Sequence, residues 1–196
     1  DPDTIRKFSA SLQKEAARLG SLVQELMQLS RVQGANLSDT AVELDLALVI
    51  NDAVDRNQVL AEQRGVKLVT SAIKGSRMVG DYEMLTTAVR NLVENAIAYS
   101  DKGSQVGIGL KEIGGVAEIA VTDSGIGISE DEQERIFERF YRVDPSRSRD
   151  TGGTGLGLSI VKHAASNHKG EVRLFSKEGV GSTFTLRLPI RNRETN

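Results

Sequence analysis

A heptad repeat of apolar residues over the first thirty-odd residues constrains the fold more than any other feature. All of its a positions and all but one of its d positions are apolar; in chain order they are Ile5, Phe8, Leu12, Glu15, Leu19, Leu22, Leu26 and Leu29. This spacing predicts one amphipathic helix with a coiled-coil or bundle seam. The stripe packs either against its own domain or against another helix, and we favour the second. GANLSD at 34–39 predicts the helix end and a linker.

Length and composition exclude several classes of protein. The 196 residues suffice for one domain plus an accessory element, and the 39% hydrophobic content suits a globular core. The absence of cysteine excludes disulfides and thiolate chemistry. The 25 basic and 27 acidic residues do not favour nucleic-acid binding. No apolar run reaches the roughly 20 residues that span a membrane. Because the chain starts at Asp1, we expect it to be part of a longer protein.

Beyond residue 40, helical and strand-like segments alternate. Helices are expected at 46–63, at 81–98 with Asp81 as the N-cap, at about 130–137, and after the glycines at 151–158. Strands are expected at 66–71, 77–80, 105–113, 116–123, 171–176 and 182–189. Gly-containing turns join two of the strand pairs, which indicates hairpins. The fold class expected is an α/β sandwich, with a mixed, largely antiparallel sheet and helices on one face.

Two asparagines stand out on the helix that ends at Ala98. Asn91 and Asn95 are four residues apart and therefore share a helical face. Amide oxygens can ligate Mg²⁺ alongside phosphate oxygens and water. The alternative is that both side chains satisfy nearby backbone groups, and the pair taken alone favours that alternative.

The segment DSGIGIS begins where a predicted strand ends. Asp123 stands at the strand terminus, and its carboxylate could accept a hydrogen bond from an exocyclic amine such as adenine N6. Gly125 and Gly127 let the backbone bend and let a flat ligand approach. An ordinary Asp-Ser-Gly turn explains the same residues equally well.

The segment TGGTGLGL at 151–158 places four glycines directly before a helix, although glycine is costly to order. Glycine there exposes backbone N–H groups at a helix N-terminus, where the helix dipole favours an anion. Such a segment can also close over a ligand. Arg142, Arg147 and Arg149 lie just upstream and suit phosphate. The sequence contains neither the P-loop motif nor the G-x-G-x-x-G motif of dinucleotide-binding folds.

Taken together and in this order, the asparagine pair, the Asp-x-Gly-x-Gly segment, IFERFYR at 136–142 and the glycine-rich segment resemble the catalytic ATP-binding domain of bacterial sensor histidine kinases. That domain belongs to a superfamily with gyrase-, Hsp90- and MutL-type ATPases. The resemblance covers essentially the whole chain. It implies that 1–35 is the second helix of a dimerisation and phosphotransfer domain and that 36–196 is the catalytic domain. The sequence of residues 136–163 is most similar to that of phosphate-responsive sensor kinases of actinobacteria.

The resemblance implies ATP and Mg²⁺ as cofactors and a role for each matching residue. Asn95 would ligate Mg²⁺, Asn91 would lie beside the phosphates, and Arg142 would reach the γ-phosphate. Asp123 would bind adenine N6, and Glu94 is a lower-ranked candidate base. The remaining implied positions are Tyr99 near the adenine or ribose, Thr183 near Asp123 through a water, Gly125, Gly127 and Ile128 in the pocket wall, and Gly153, Gly155, Leu156 and Gly157 in a lid.

Two departures from the family pattern affect these assignments. A family lysine that contacts phosphate is replaced by Ala98, and Lys102 or Arg149 are possible substitutes. The family phosphorylates a histidine followed by an acidic residue, but His163 and His168 lack that context. We expect both to be surface or helix-end histidines without a metal role. The acceptor histidine would then lie on a dimerisation helix outside this sequence, and the phosphoryl group would pass on to an aspartate of a response regulator.

The resemblance further implies a homodimer formed through the dimerisation helices and a parent protein in the cell membrane. This part would lie in the cytoplasm, without direct contact with membrane or nucleic acid. Three alternatives remain. A gyrase- or Hsp90-type ATPase would carry a glutamate where Asn91 stands, and an anti-sigma-type serine kinase would not need the heptad helix. A dimerisation module that had lost ATP binding would not need the intact motifs.

Overall fold

The computed structural model describes residues 1–34, 40–71, 75–143 and 153–190. The helices are α1 (Pro2–Gly34), α2 (Leu46–Arg64), α3 (Tyr82–Tyr99) and α4 (Gly157–Asn167). The strands are β1 (Val42–Asp45), β2 (Lys67–Ser71), β3 (Arg77–Gly80), β4 (Gln105–Ile113), β5 (Val116–Asp123), β6 (Glu171–Lys177) and β7 (Gly181–Pro189). None of the helices within these residues is long and apolar enough to cross a membrane.

The heptad repeat forms a single helix, as predicted, and that helix is buried only near its C-terminal end. Leu29 and Val32 are almost completely buried against the rest of the molecule. The seam residues of the first turns are exposed, with Ile5 and Phe8 each 66% exposed. The last turns of α1 therefore pack on the chain's own domain, its first turns are uncovered, and pairing with another helix stays a prediction for those turns.

Side-chain caps define the starts of α2 and α3. The Asp45 carboxylate accepts a hydrogen bond from the Ala47 N–H at 2.9 Å. The Asp81 carboxylate accepts one from the Met84 N–H at 2.9 Å, which confirms the N-cap predicted from the sequence. Each cap satisfies a backbone donor that has no partner inside the helix.

The main sheet has five strands in the order β2-β4-β5-β7-β6. The β2–β4 pair is parallel and the other pairs are antiparallel, so the sheet is mixed and largely antiparallel, as predicted. The strand predicted at 77–80 does not join it. As β3, it pairs instead with β1 in a separate two-stranded sheet. β1 has only four residues and leads directly into α2, and sequence analysis missed it.

The core lies between one face of this sheet and helices α2, α3 and α4. Alternate residues of the central strands are fully buried, among them Ile108, Ile119 and Leu186. Leu92 of α3 and Ile160 of α4 are fully buried as well. This is the two-layer α/β sandwich expected from the sequence, with helices on one face.

The opposite face of the sheet carries a row of paired charges. The Lys111 ammonium lies 3.0 Å from a Glu118 oxygen, and Arg187 Nε lies 2.9 Å from the other oxygen of the same carboxylate. Arg187 also pairs with Glu171, which contacts Arg173 at 2.7 Å. These pairs cross four strands, and because their outer members Lys111, Glu171 and Arg173 are exposed, they suit a solvated face.

The short helix predicted at about 130–137 is two separate 3₁₀ turns, Glu130–Glu132 and Arg135–Phe137. Ile136 is the only residue of the two turns that is buried. The Gln133 side chain between them donates to the carbonyls of Ile128 and Ser176, which ties the segment to its neighbours. With so little apolar surface to bury, a continuous helix gains little from packing.

Candidate functional site

Helix α3 presents three candidate residues on adjacent positions of its surface. Asn91 is buried, whereas Glu94 and Asn95 are half-buried. The Asn91 amide nitrogen has no hydrogen-bond partner among the described residues, although it is inaccessible to solvent. An unpaired buried donor is costly and therefore marks a place where a ligand can bind.

Glu94 lies in a partly buried electrostatic cluster. Its carboxylate is 3.1 Å from Arg90 Nε, one helical turn earlier. Burial raises the pKa of Glu94, Arg90 opposes that shift, and the nearby Glu25 carboxylate of α1 adds to it. A carboxyl group with a raised pKa suits proton transfer near neutral pH better than one with the ordinary pKa.

Asp123 closes β5 and is 9% exposed. Its Oδ1 atom accepts hydrogen bonds from the backbone N–H groups of Gly125 at 2.9 Å and Ser182 at 3.2 Å. Burial raises the pKa of Asp123, and these two hydrogen bonds oppose the shift. Because both fall on Oδ1, the Oδ2 atom is the oxygen that can accept from a ligand.

The glycines after Asp123 are required chiefly by the packing of the protein itself. A Cβ on Gly125 would clash with the backbone carbonyl of Tyr99, at the end of α3. Gly127 has φ of 67°, and a Cβ there would clash with the carbonyl of Lys177. The sequence analysis attributed these glycines to a bend of the backbone and to the approach of a ligand, and the structure shows that the backbone packing alone already requires them.

The glycine-rich segment leads directly into α4. Gly157 is the first residue of the helix, and a Cβ on it would lie 3.5 Å from Asn91 Oδ1, so the two helices approach closely here. The Phe140 N–H donates to the Gly155 carbonyl at 2.9 Å, which connects the segment to the preceding loop.

Arg142 lies just after that loop contact. Its Nε and Nη2 atoms are inaccessible to solvent and have no hydrogen-bond partner among the described residues. Arg147 and Arg149, which the sequence analysis also considered, lie outside the described residues.

These elements enclose a cavity of about 270 Å³ between α3, the end of β5 and the glycine-rich segment. Most of the residues predicted from the sequence line it: Asn91, Glu94, Asn95, Tyr99, Asp123, Gly127, Ile128, Arg142, Gly153, Gly155 and Gly157. Apolar side chains complete the wall, among them Ile97, Ile136 and Phe184. An apolar cavity with a few convergent polar groups is the usual form of a small-molecule site.

Three of the predicted residues do not line this cavity. Gly125 lies behind it, against Tyr99. Leu156 is fully buried in the core. Thr183 faces the other side of the sheet, where its hydroxyl lies 3.0 Å from that of Thr122. Because strand side chains alternate between faces, its two neighbours on β7, Ser182 and Phe184, line the cavity instead.

Sequence analysis missed the contributions of two other helices. Ser21 and Glu25 of α1 line the cavity, as do Leu60 and Arg64 of α2. Ser21 and Glu25 are four residues apart, which would have placed them on one face, but nothing in the sequence shows where α1 docks. Lys102, one of the proposed substitutes for the family lysine, does not line the cavity.

Both histidines have polar contacts within the protein. His168, at the end of α4, is 4% exposed; its Nε2 accepts from the Asp81 N–H at 2.9 Å and its Nδ1 lies 2.7 Å from the Ala164 carbonyl. Burial lowers the pKa of His168, which fits a neutral ring that accepts at Nε2. It is thus a helix-end histidine, as expected, but a buried one. His163 lies 3.5 Å from an Arg139 guanidinium nitrogen. No group of three or more His, Asp or Glu side chains in the described ranges could hold a metal ion.

Comparison with known proteins identifies the architecture around this cavity. Residues 80–192 match the family model described as histidine kinase-, DNA gyrase B-, and HSP90-like ATPase. The sensor-like histidine kinase SenX3 of Mycolicibacterium smegmatis is 51% identical over 96% of this chain and 49% of its own length. The phosphate regulon sensor protein PhoR of Pseudomonas aeruginosa is 35% identical over 89% of this chain and 39% of its own length.

Solved structures agree with these matches. The mycobacterial sensor histidine kinase MprB superposes with a TM-score of 0.67 and 31% identity, over 77% of this chain and 98% of that one. The chain spans about half the length or less of these curated relatives. These matches confirm the family that the sequence motifs predicted.

Proposed function

Because this chain belongs to the family of histidine kinase-, DNA gyrase B- and HSP90-like ATPases, we propose that it binds Mg-ATP in the cavity beside α3 as the catalytic part of a sensor histidine kinase. The observation that carries the proposal is the set of buried donors without partners in this cavity. Asn91 contributes one amide nitrogen, and Arg142 contributes Nε and Nη2. All three are N–H donors, and phosphate oxygens are their natural acceptors.

The adenine ring is assigned to the apolar part of the wall next to Asp123. The free Oδ2 atom of Asp123 accepts a hydrogen bond from the exocyclic amine N6. Ile97 and Ile128 offer apolar surface to the flat ring, and Tyr99 packs near the adenine or ribose. A carboxylate that is oriented by two backbone N–H groups is well suited to select an amine over a carbonyl.

The residues also fit Mg²⁺ bound together with a triphosphate. Mg²⁺ takes oxygen ligands and keeps several waters, so one or two protein ligands are enough. Asn95, through its amide oxygen, would hold the ion, and Asn91 lies one turn earlier on the same face. When bound, Mg²⁺ supplies positive charge that counters the charge of the phosphates during phosphoryl transfer.

This chain's own residues orient the γ-phosphate and neutralise its charge. Arg142 donates to the γ-phosphate oxygens, and the glycine-rich backbone at Gly153 and Gly155 borders the phosphates. Glu94, with its raised pKa, is the candidate base for a proton from the acceptor histidine. Positioning and electrostatic stabilisation account for most catalysis of this kind.

In the parent protein, the phosphoryl group would pass to a histidine on a dimerisation helix outside this sequence and then to an aspartate of a response regulator. α1 would be the second helix of that dimerisation domain, and its exposed seam would pair in a homodimer. The parent would be anchored in the cell membrane, with this part on the cytoplasmic side.

Calorimetric titration with a non-hydrolysable ATP analogue, with and without Mg²⁺, tests the proposal. We expect binding that Mg²⁺ strengthens, and weaker binding by Arg142→Ala, which removes two of the unpaired donors. Failure of the wild-type chain to bind any adenine nucleotide would overturn the proposal. Appreciable ATP hydrolysis by this chain alone would instead favour an ATPase of the gyrase or Hsp90 type.

A further inference from the structure

Helix α1 contributes a carboxylate to the cavity that the proposed function assigns to ATP. Glu25 lies four residues after Ser21, and both line the cavity. The Glu25 carboxylate accepts a hydrogen bond from the hydroxyl of Thr154, in the glycine-rich segment. The same hydroxyl accepts from the Leu156 N–H at 3.2 Å, at the start of α4, and Thr154 is 7% exposed. A partly buried hydrogen bond thus joins α1 to the segment assigned to the phosphates.

The last turns of α1 hold Glu25 in this position. Leu29 and Val32 are buried against the domain. The Asn167 side chain of α4 donates to the Val32 carbonyl at 2.6 Å, and the Gln33 amide nitrogen lies 3.4 Å from His163 Nε2. The contact at Glu25 therefore belongs to a continuous docking surface, which runs along the C-terminal part of α1.

Charge around Glu25 is unfavourable for a second anion. Burial raises the pKa of the Glu25 carboxyl and of the Glu94 carboxyl on α3. Glu25 is also close enough to Glu94 to raise the pKa of Glu94 further. Arg90 is the cation whose charge lowers the pKa of both carboxylates, and it already pairs with Glu94 at 3.1 Å. Thr154 faces Glu25 from the glycine-rich segment and is neutral. Glu25 and Glu94 thus share the Arg90 guanidinium, so Glu25 would bring a poorly compensated negative charge close to a bound triphosphate, whose phosphates are assigned to Arg142.

We propose that the Glu25–Thr154 contact makes the docking of α1 and the binding of a nucleoside triphosphate mutually antagonistic. The inference rests on the proposed function, because it concerns the same cavity. With α1 docked, Glu25 occupies part of the phosphate region and repels the nucleotide. When the triphosphate binds, it displaces Glu25 and loosens the last turns of α1. This antagonism is reciprocal, as linkage between two binding events requires.

The test compares Glu25→Gln and Glu25→Ala with the wild type. Glu15→Gln is the control, because it removes one carboxylate from the same helix at a residue that does not line the cavity. Each protein is titrated with the Mg-bound non-hydrolysable ATP analogue and, separately, with adenosine. We expect both Glu25 variants to bind the analogue at least about 5-fold more tightly. Adenosine affinity should stay unchanged because adenosine carries no phosphate, and Glu15→Gln should behave as wild type.

Hydrogen exchange of residues 21–33 supplies a second readout. The proposal expects faster exchange there in Glu25→Gln without nucleotide, and in the wild type once the analogue is bound. Unchanged or weaker binding by the Glu25 variants, with binding by the wild type intact, would overturn this inference alone. Weaker binding would mean that Glu25 helps to hold the nucleotide or its metal. Absence of binding in every protein would overturn the proposed function and this inference with it.

Discussion

Replacing Asp123 with asparagine should change which base the cavity accepts. In the wild type, Oδ1 of Asp123 accepts from the N–H groups of Gly125 and Ser182, which leaves Oδ2 for the ligand. The amide oxygen of asparagine can keep both backbone bonds, so its NH₂ group must take the place of Oδ2. A donor then faces the N6 amine of adenine, which is also a donor.

The size of this effect follows from the hydrogen bond that is lost. The substitution removes one hydrogen bond to a charged acceptor, which contributes about 1.5 to 3 kcal/mol. We therefore expect the Kd for ATP to rise by about 10- to 150-fold. Inosine triphosphate carries a carbonyl where adenine has N6, so it should bind the wild type poorly. It should bind Asp123→Asn at least as well as ATP does, because the new NH₂ group can donate to that carbonyl.

Calorimetric titration of both proteins with both nucleotides measures this exchange of preference, and thermal melting checks the fold. We expect the melting temperature to change little, because the bonds to Gly125 and Ser182 remain. Equal loss of ATP and inosine triphosphate affinity, together with a large drop in melting temperature, would mean that Asp123 is a structural residue. ATP affinity unaffected by the substitution would place the adenine elsewhere.

Three further predictions concern other parts of the chain. Arg142→Ala should weaken ATP binding by about 10-fold or more and leave adenosine binding unchanged, because we assign the unpaired donors that it removes to phosphate rather than to the base; titration with the two ligands would show a uniform loss if this assignment is mistaken. Asp81→Ala removes the cap at the Met84 N–H and should cost about 1 kcal/mol, seen as a lower midpoint in urea unfolding, whereas Asp81→Asn should stay close to wild type. Burial lowers the pKa of His168 in the folded state, so the stability it contributes is present above its ordinary pKa of about 6.5 and is lost as pH falls through the lower folded value. The melting temperature should therefore fall less between about pH 7.5 and 5 in His168→Gln than in the wild type, and equal slopes for the two proteins would contradict this role.

The residues that could be predicted from the sequence are those whose local surroundings determine their position. Asn91 and Asn95 share a face because helical periodicity is fixed, and Asp123 ends its strand because apolar alternation stops there. The N-cap at Asp81 depends only on the residues that follow it. Each of these inferences needs a few neighbouring residues and no knowledge of distant contacts.

The residues that the sequence analysis misplaced or missed have positions set by strand register in the sheet or by the docking of α1 on the domain. Thr183 and Ser182 are neighbours on β7, and a shift of one residue moves a side chain to the other face of the sheet. Glu25 reaches the cavity because the end of α1, where Leu29 and Val32 are buried, docks beside α4. The heptad repeat shows that α1 has an apolar stripe, but it does not show which turns are covered or by what.

Nuclear magnetic resonance of isotope-labelled protein, titrated with the Mg-bound non-hydrolysable analogue, tests most directly whether ATP occupies the cavity between α3, β5 and the glycine-rich segment. We expect the largest shifts at the side-chain amides of Asn91 and Asn95, at the Arg142 Nε–H and at the backbone of Asp123 and Gly127. Binding accompanied by shifts on another surface, with these signals unmoved, would contradict ATP binding in this cavity.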